Sequence, residues 1–393
     1  MKKHLFSTLI LGLTALLTLS VARADPNDIV VPGIIGVPGF TKPILVSLSG
    51  FSGETLDVLN FDLYVQGFKV TTPALAQYQI TGSNAGNVIG TVTDTVAKQS
   101  VLSRSYSGAS LRRQAHSFAN DIVLTINHVP GIGLTKIAFK KEVGPGHGEI
   151  YVADFDGHNQ QEVTHDGTIV ASPAWVPGHL ALYYTTYHPD PEIIYNSLSS
   201  GQRTVVARYS GLNTAPALSP DGTTLAMVLS RSGSPNIWVA NANGSNPRKL
   251  TNTTEDSSPC WSPDGQWICF ATKIHERRLL AKVPAGGGEV QTLSTSGHPN
   301  PTEPAWSPDG KWIAFTQQTG YGFDLCVMPA DGSKPPQLLV AGEHPSWSPN
   351  SRTLIFTKRT GYTYALSVLD VMTKQVKDIR RNSGDDSQPD WAR

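Results

Sequence analysis

Pro259-Cys260-Trp261-Ser262-Pro263-Asp264-Gly265 and Pro304-Ala305-Trp306-Ser307-Pro308-Asp309-Gly310 are two full copies of one heptapeptide, and the way this anchor recurs decides the fold. Varied copies stand at Pro173 to Gly178, Pro216 to Gly222 and Pro345 to Ser351, and Pro389-Asp390-Trp391 begins another. The third position of the anchor falls at Trp175, Leu218, Trp261, Trp306, Trp347 and Trp391, giving intervals of 43, 43, 45, 41 and 44 residues. A period of about 40–45 residues is that of a four-stranded propeller blade.

The residues between anchors read as short strands. Trp267-Ile268-Cys269-Phe270, Trp312-Ile313-Ala314-Phe315 and Thr353-Leu354-Ile355-Phe356 follow their anchors directly, and Asn236-Ile237-Trp238-Val239 and Asp324-Leu325-Cys326-Val327 come about ten residues later. All are rich in β-branched and aromatic residues. Asp-Gly steps at 221, 264 and 309, and Gly157, Gly244 and Gly332 after the later strands, supply the positive φ of tight turns. Thr135-Lys136-Ile137-Ala138-Phe139 looks like a strand that lacks an anchor, whereas Pro389-Asp390-Trp391 is an anchor that lacks a strand. Joining the two predicts an all-β six-bladed propeller over residues 134–393 whose ring is closed by its C-terminal segment. The anchor tryptophans are expected to pack between blades.

Residues 25–133 lack the repeat and predict a small α/β domain ahead of the propeller. Ile44 to Leu48 is a buried-strand run, and Leu56, Leu59 and Leu63 share one face of a helix over 55–66 ending near Gly67. Further strands are expected between Val88 and Ser105. Leu111, Ala115, Phe118, Ile122 and Ile126 recur at helical spacing, with Ser110 as N-cap and Pro130 beyond the end. At the start of the chain, Lys2 and Lys3 precede an apolar run to about Leu19, and Ala22-Arg23-Ala24 has the small-x-small pattern of a signal-peptidase site. Residues 1–24 therefore read as a signal peptide cleaved after Ala24. No later stretch reaches the roughly 20 apolar residues of a membrane span.

Charge excludes one class of partner. The chain holds 31 basic and 31 acidic residues, and loss of Lys2, Lys3 and Arg23 leaves 28 against 31. Nucleic-acid binding needs clustered positive charge, which is absent. Cys260, Cys269 and Cys326 form no CxxC pair, so neither zinc nor a redox motif is indicated, and at most one disulfide can form. There is no Gly-x-Ser-x-Gly elbow and no His-Glu-x-x-His, and the chain closes its propeller without room for a following hydrolase domain. No enzyme activity, metal or cofactor is expected.

Anchors, signal peptide and N-terminal α/β domain together resemble the TolB family of the Tol-Pal envelope system. Leu111-Arg112-Arg113-Gln114-Ala115-His116, Gly131 and Thr135 to Phe139 are similar to the family's helix with an Ala-His pair, its Gly-rich turn and its Thr-Arg-Ile-Ala-Tyr strand. Tyr151-Val152-Ala153-Asp154-Phe155-Asp156-Gly157-His158-Asn159 resembles its Ser-Asp-Tyr-Asp-Gly-x-Asn stretch, and Ser172-Pro173-Ala174-Trp175 its Ser-Pro-Ala-Trp. The resemblance covers essentially the whole mature chain. It implies a periplasmic protein-binding scaffold whose propeller binds Pal, the peptidoglycan-associated lipoprotein, and whose N-terminal tail engages the inner-membrane protein TolA, in support of outer-membrane integrity and cell division. The family's Pal-facing loops lead into the anchors and map here to Ala171-Ser172, Leu212-Asn213-Thr214, Asp256-Ser257-Ser258, Thr302-Glu303, Glu343-His344 and Ser387-Gln388.

The tail departs most from the family. Asp25 to Gly39 holds Pro26, Pro32, Gly33, Gly36, Pro38 and Gly39 where the family has a more regular β-forming segment. Pairing with a partner's sheet is thereby limited to the stretch around Ile29, Val30 and Val31. The alternative reading, a propeller binding cell-wall glycan or peptide, calls for aromatic residues on the channel rim. The loops named above hold none.

Overall fold

The computed structural model describes residues 38–379 and 385–393; the signal-peptide cleavage after Ala24 and the tail residues Ile29, Val30 and Val31 lie outside them. Residues 37–393 form one compact unit. Its first part is a five-stranded sheet with two helices: β1 (Ile44–Ser49), α1 (Gly53–Tyr64), β2 (Phe68–Val70), β3 (Tyr78–Ser83), β4 (Val88–Asp94), β5 (Gln99–Tyr106) and α2 (Leu111–Asn127). The strand order is β2-β1-β3-β4-β5, with β1 parallel to both neighbours and the rest antiparallel.

The apolar stripes foreseen on both helices form the core here. Leu59 and Leu63 of α1 and Phe118 and Ile122 of α2 are buried with Val46, Ile80 and Val92 of the sheet. Ser110 caps α2 by accepting from Arg113 N at 3.2 Å. Strands β2 and β3 were not foreseen, because a three-residue Phe-Lys-Val and a Tyr-Gln-Ile-Thr-Gly-Ser run carry little strand pattern.

The remainder is the expected ring of six four-stranded antiparallel sheets. Blade 3 is typical, with strands Asp256–Trp261, Trp267–Ile274, Arg277–Pro284 and Gln291–Leu293 running from channel to periphery. The inner strands of blades 1, 2, 4 and 5 are Val170–Trp175, Asn213–Leu218, Pro301–Trp306 and Glu343–Trp347. In blade 6 the inner strand Asp386–Trp391 pairs with Lys136–Gly144, which continues to His147–Asp154 and Gln161–Glu162. The ring is therefore closed as the anchor arithmetic requires.

The anchor sequence explains the turn that follows each inner strand. Ser262 Oγ donates to Asp264 Oδ1 (2.5 Å) and accepts from Trp267 N (2.9 Å), while Asp264 Oδ1 also accepts from Gln266 N (3.0 Å) and Gly265 takes a φ of +70°. The same Ser-to-Asp and amide-to-Ser bonds recur at Ser219 with Asp221 and Ser307 with Asp309. Serine, acid and glycine thus satisfy the backbone groups that a two-strand corner leaves unpaired.

The α/β layer sits on the end of the propeller that carries these turns, against blades 5 and 6. Thr41 N donates to Met372 O (3.1 Å), Gln375 Nε2 to Phe68 O (2.9 Å) and Thr353 Oγ1 to Val65 O (3.4 Å). Val65 and Ile132 join the apolar cluster of Phe139, Phe155, Val368 and Trp391. At the centre of this contact His116 of α2 lies between two carboxylates. Its Nδ1 is 2.7 Å from Asp62 Oδ2 on α1, and its Nε2 is 3.7 Å from Asp156 Oδ2, in a turn of blade 6. Arg112, one turn earlier on α2, pairs with the same Asp156 oxygen.

Burial alone would lower the His116 imidazole, but the Asp62 carboxylate and then Asp156 outweigh it and raise it above its usual range. Burial likewise raises Asp62. A histidine raised by folding contributes stability that is complete below its ordinary value of about 6.5 and is lost as pH rises through the higher folded value. The thermal midpoint should therefore fall as pH rises above about 6.5, and His116→Gln should flatten that profile. His116→Ala should cost about 3 kcal/mol in denaturant titrations at pH 6, because two buried carboxylates lose their imidazole.

Deletion of residues 387–393 tests closure. Trp391 is fully buried, and truncating such a side chain costs about 3–5 kcal/mol by itself. The midpoint should drop by about 10 °C or more, and a truncated chain that melts with the parent refutes the closed ring.

Candidate functional site

Each inner strand contains one residue in the left-handed region, always directly before a proline. Ser172, Ala215, Ser258, Glu303, His344 and Gln388 have φ of 52, 49, 52, 52, 53 and 51°, and Pro173, Pro216, Pro259, Pro304, Pro345 and Pro389 follow them. For a residue with a Cβ this conformation costs about 1–2 kcal/mol. The pairing register slips at the same place in all six blades, as between Thr214↔Val228 and Ala217↔Ala226 in blade 2. Proline offers no N–H to the second strand, so the ladder breaks there and resumes one residue further on.

This geometry corrects the expectation that Leu212-Asn213-Thr214, Ser257-Ser258, Thr302-Glu303 and His344 occupy loops leading into the anchors. All but Leu212 lie within inner strands, which pair on both sides of the bulge. A polar run before proline reads as a turn, but a paired bulge has the same composition. Asn213 is fully buried, accepting from Tyr209 N (2.9 Å) and donating to Tyr209 O (2.7 Å) and Gly211 O (3.0 Å). It shapes the loop between blades 1 and 2. Leu212, Thr214, Ser257 and Thr302 are half-buried on the end opposite the α/β layer, and Thr214 Oγ1 lies 3.2 Å from Thr185 Oγ1 of the neighbouring blade.

The structure brings five of the residues mapped in the sequence, Ser172, Ser258, Glu303, His344 and Gln388, together on the wall of a channel cavity of about 480 Å³. The six prolines ring this cavity, which extends from the left-handed residues toward the anchor turns. Its wall is uneven. Blades 1 to 3 contribute the short side chains Ser172, Ala215 and Ser258, whereas blades 4 to 6 contribute Glu303, His344 and Gln388.

The larger three are fixed by bonds between blades. Glu303 Oε2 accepts from His344 N (2.9 Å) and Thr316 Oγ1 (2.8 Å), and Glu303 Oε1 lies 3.1 Å from His344 Nε2. Gln388 Oε1 accepts from Ser172 N (2.8 Å), and Gln388 N donates to Thr357 Oγ1 (3.0 Å). Beside them burial raises Glu343, with His344 opposing and Glu303 adding to the shift. The channel therefore has a filled polar arc on blades 4 to 6 and an open arc on blades 1 to 3. Its preformed apolar and polar lining suits an inserted side chain or short segment.

Sequence reasoning missed Asp390 and read the tryptophans chiefly as packing residues, with ligand stacking as the alternative. Trp175, Trp261 and Trp347 do join blades, each donating from Nε1 to an inner-strand carbonyl of the preceding blade, Asp390 (3.1 Å), Ala217 (2.9 Å) and Ala305 (3.0 Å). Trp175, Trp261 and Trp391 also reach the cavity wall. Asp390 is half-buried, its desolvation raises the carboxyl, and it accepts from Trp175 N (2.8 Å) and Ser346 Oγ (3.0 Å). The recurring anchor tryptophan was a signal for the wall; Asp390 had none, since its position is Cys or Ala in the full anchors.

A closed six-bladed propeller with a proline-ringed channel and an α/β layer on one end is the class these features define. Residues 124–393 match the family model described as the TolB beta propeller domain, and the chain belongs to that family. It is 29% identical over 294 residues to the Tol-Pal system protein TolB of Anaeromyxobacter dehalogenans, covering 64% of this chain and 67% of the relative. It is 32% identical over 161 residues to that of Desulfosudis oleivorans, covering 40% and 36%, so the chain spans about a third of this relative. The crystal structure of TolB from Acinetobacter baumannii superposes with a TM-score of 0.81 at 22% identity, over 91% of this chain and 98% of that one. That likeness extends the shared fold to the α/β layer. Among the described residues no helix is long and apolar enough to cross a membrane.

Glu303→Ala tests the polar arc. It removes an acceptor from His344 N and Thr316 Oγ1, and leaving such groups unpaired costs about 1–3 kcal/mol. Urea titration should show that loss, and Glu303→Gln, which keeps an acceptor oxygen, should recover at least half of it.

Proposed function

We propose that this chain is a periplasmic scaffold of a Tol-Pal-type envelope complex. Its propeller binds a Pal-like peptidoglycan-associated lipoprotein, and its N-terminal tail around Ile29, Val30 and Val31 engages a TolA-like inner-membrane protein. The outcome is support of outer-membrane integrity and cell division by coupling partners, without chemistry on a substrate. The proposal includes cleavage after Ala24 and a division into an α/β domain over 25–133 and a propeller over 134–393.

The single observation that supports this reading is the ring of strained, left-handed residues around a preformed channel, in a chain of the TolB family. Backbone strain repeated at every blade concentrates at functional sites. A closed ring presents its rim with little ordering cost on association. The partner packs over the open arc, where Ser172, Ala215 and Ser258 leave room, and takes hydrogen bonds from the half-buried rim at Thr214, Ser257 and Thr302.

The test uses the mature chain as bait in an envelope extract, beside Thr214→Trp and Ser258→Trp. Retention of a Pal-like lipoprotein by the parent is expected, with each variant weakened at least about tenfold, equivalent to about 1.4 kcal/mol, and with unchanged melting. Unchanged affinity at both sites moves the interface elsewhere. Retention of glycan fragments alone favours the cell-wall-binding alternative.

A further inference from the structure

Cys260 and Cys269 occupy the first and second strands of blade 3 and are directly opposed in the antiparallel register. Opposed residues of such a pair point to the same face, with Cα atoms about 4.5–5.5 Å apart. That separation lies inside the range of about 4.4–6.8 Å that a disulfide spans. Cys260 is half-buried and lines the channel cavity, two residues past the left-handed Ser258, while Cys269 is buried behind it. Hydrogen bonding to Cys260, and then burial, holds the Cys269 thiol well above the usual range.

Cys326 is different. It lies in the third strand of blade 4 (Gly322–Pro329), fully buried, with Sγ 3.3 Å from His298 Nδ1. It shares the apolar cluster between blades 3 and 4 with Cys269, but it belongs to the neighbouring sheet and is not opposed to either cysteine in a strand register.

We propose that Cys260 and Cys269 form a dithiol–disulfide site on the channel wall, oxidised by exchange with a small disulfide that reaches Cys260 through the channel. The Cys260 thiolate attacks the incoming disulfide, forming a mixed disulfide and releasing one thiolate. Cys269 gives up its proton to that leaving group, and its thiolate attacks Cys260 Sγ, forming the internal bond and releasing a second thiolate, which takes up the proton that the Cys260 thiol first gave to water. Two protein thiols are oxidised and one disulfide is reduced to two thiols. The bond fastens the inner strand to its neighbour immediately beside the bulge, in the open arc of the channel.

The native full-length mature chain incubated with glutathione disulfide, then denatured and alkylated without reductant, should carry one alkylated cysteine, Cys326. Peptide mapping should show a bridge from Cys260 to Cys269 that a reductant removes. Three alkylated cysteines, a bridge that includes Cys326, or glutathione retained on Cys260 of the parent chain overturns the proposal. Cys269→Ser lacks the resolving thiol and should stop with one glutathione on Cys260. An unmodified Cys269→Ser chain shows that Cys260 is not reached from the channel, and overturns it equally.

Discussion

Pairing of Asp386–Trp391 with Lys136–Gly144 joins segments some 250 residues apart, and the geometry of the channel depends on it. Each blade buries both faces against its neighbours, so an open array would leave two faces and their tryptophan seats in water. Closure instead places Trp391 in a fully buried site, where its Nε1 donates to Thr135 Oγ1 (2.8 Å) and its backbone N to Ser346 Oγ (3.0 Å). Asp390 beside it holds Trp175 N of blade 1 and Ser346 Oγ of blade 5. One short strand therefore bonds the blades on both sides of the seam. Because the chain reaches Thr135 directly from the α/β layer, the seam is also where that layer is attached.

A closed ring makes the left-handed bulges interdependent. In an isolated hairpin a non-glycine residue at φ near +50° would relax into ordinary pairing, since the strain exceeds what one bulge returns. Here each inner strand is held by its paired second strand and by the anchor turn that follows it, with Trp175, Trp261 and Trp347 adding bonds to the preceding blade, and the bulge persists in six copies. Proline then removes the one N–H that could restore the regular ladder. The ring of prolines and the slipped register are two consequences of the same dipeptide, repeated with a changing first residue.

Much of this was legible in the sequence because periodicity is a long-range signal that survives local variation. Leu218 replaces the anchor tryptophan and Asn350-Ser351 replaces Asp-Gly, yet the spacing still assigned six blades and the closing strand. The α/β helices were legible for a similar reason, as Leu59, Leu63, Phe118 and Ile122 keep their spacing. What escaped was whatever depends on contacts between elements. A three-residue strand such as β2 has no pattern of its own. The bulge could not be told from a loop, because Ser257-Ser258-Pro259 has turn composition in either case. The arc of Glu303, His344 and Gln388 joins residues about 41–45 apart in the chain, and only the ring brings them side by side. The Asp62, His116 and Asp156 contact needs two helices and a blade turn to meet.

The two sides of the propeller are built for different tasks. Blades 5 and 6 carry the α/β layer, through Met372, Gln375 and Asp156, and they also carry two of the three large ring residues, His344 and Gln388. There the channel is filled, and Glu303, His344 and Gln388 are bonded to one another's blades or to the next. Blades 1 to 3 bear none of these α/β contacts and keep small ring residues, with Cys260 on the wall beside them. Any group entering the channel meets least competition there, because on the opposite arc it would have to displace bonds of 2.8–3.1 Å that hold neighbouring blades together. The bonded arc on blades 4 to 6 and the open arc on blades 1 to 3 thus differ by the identity of one residue per blade.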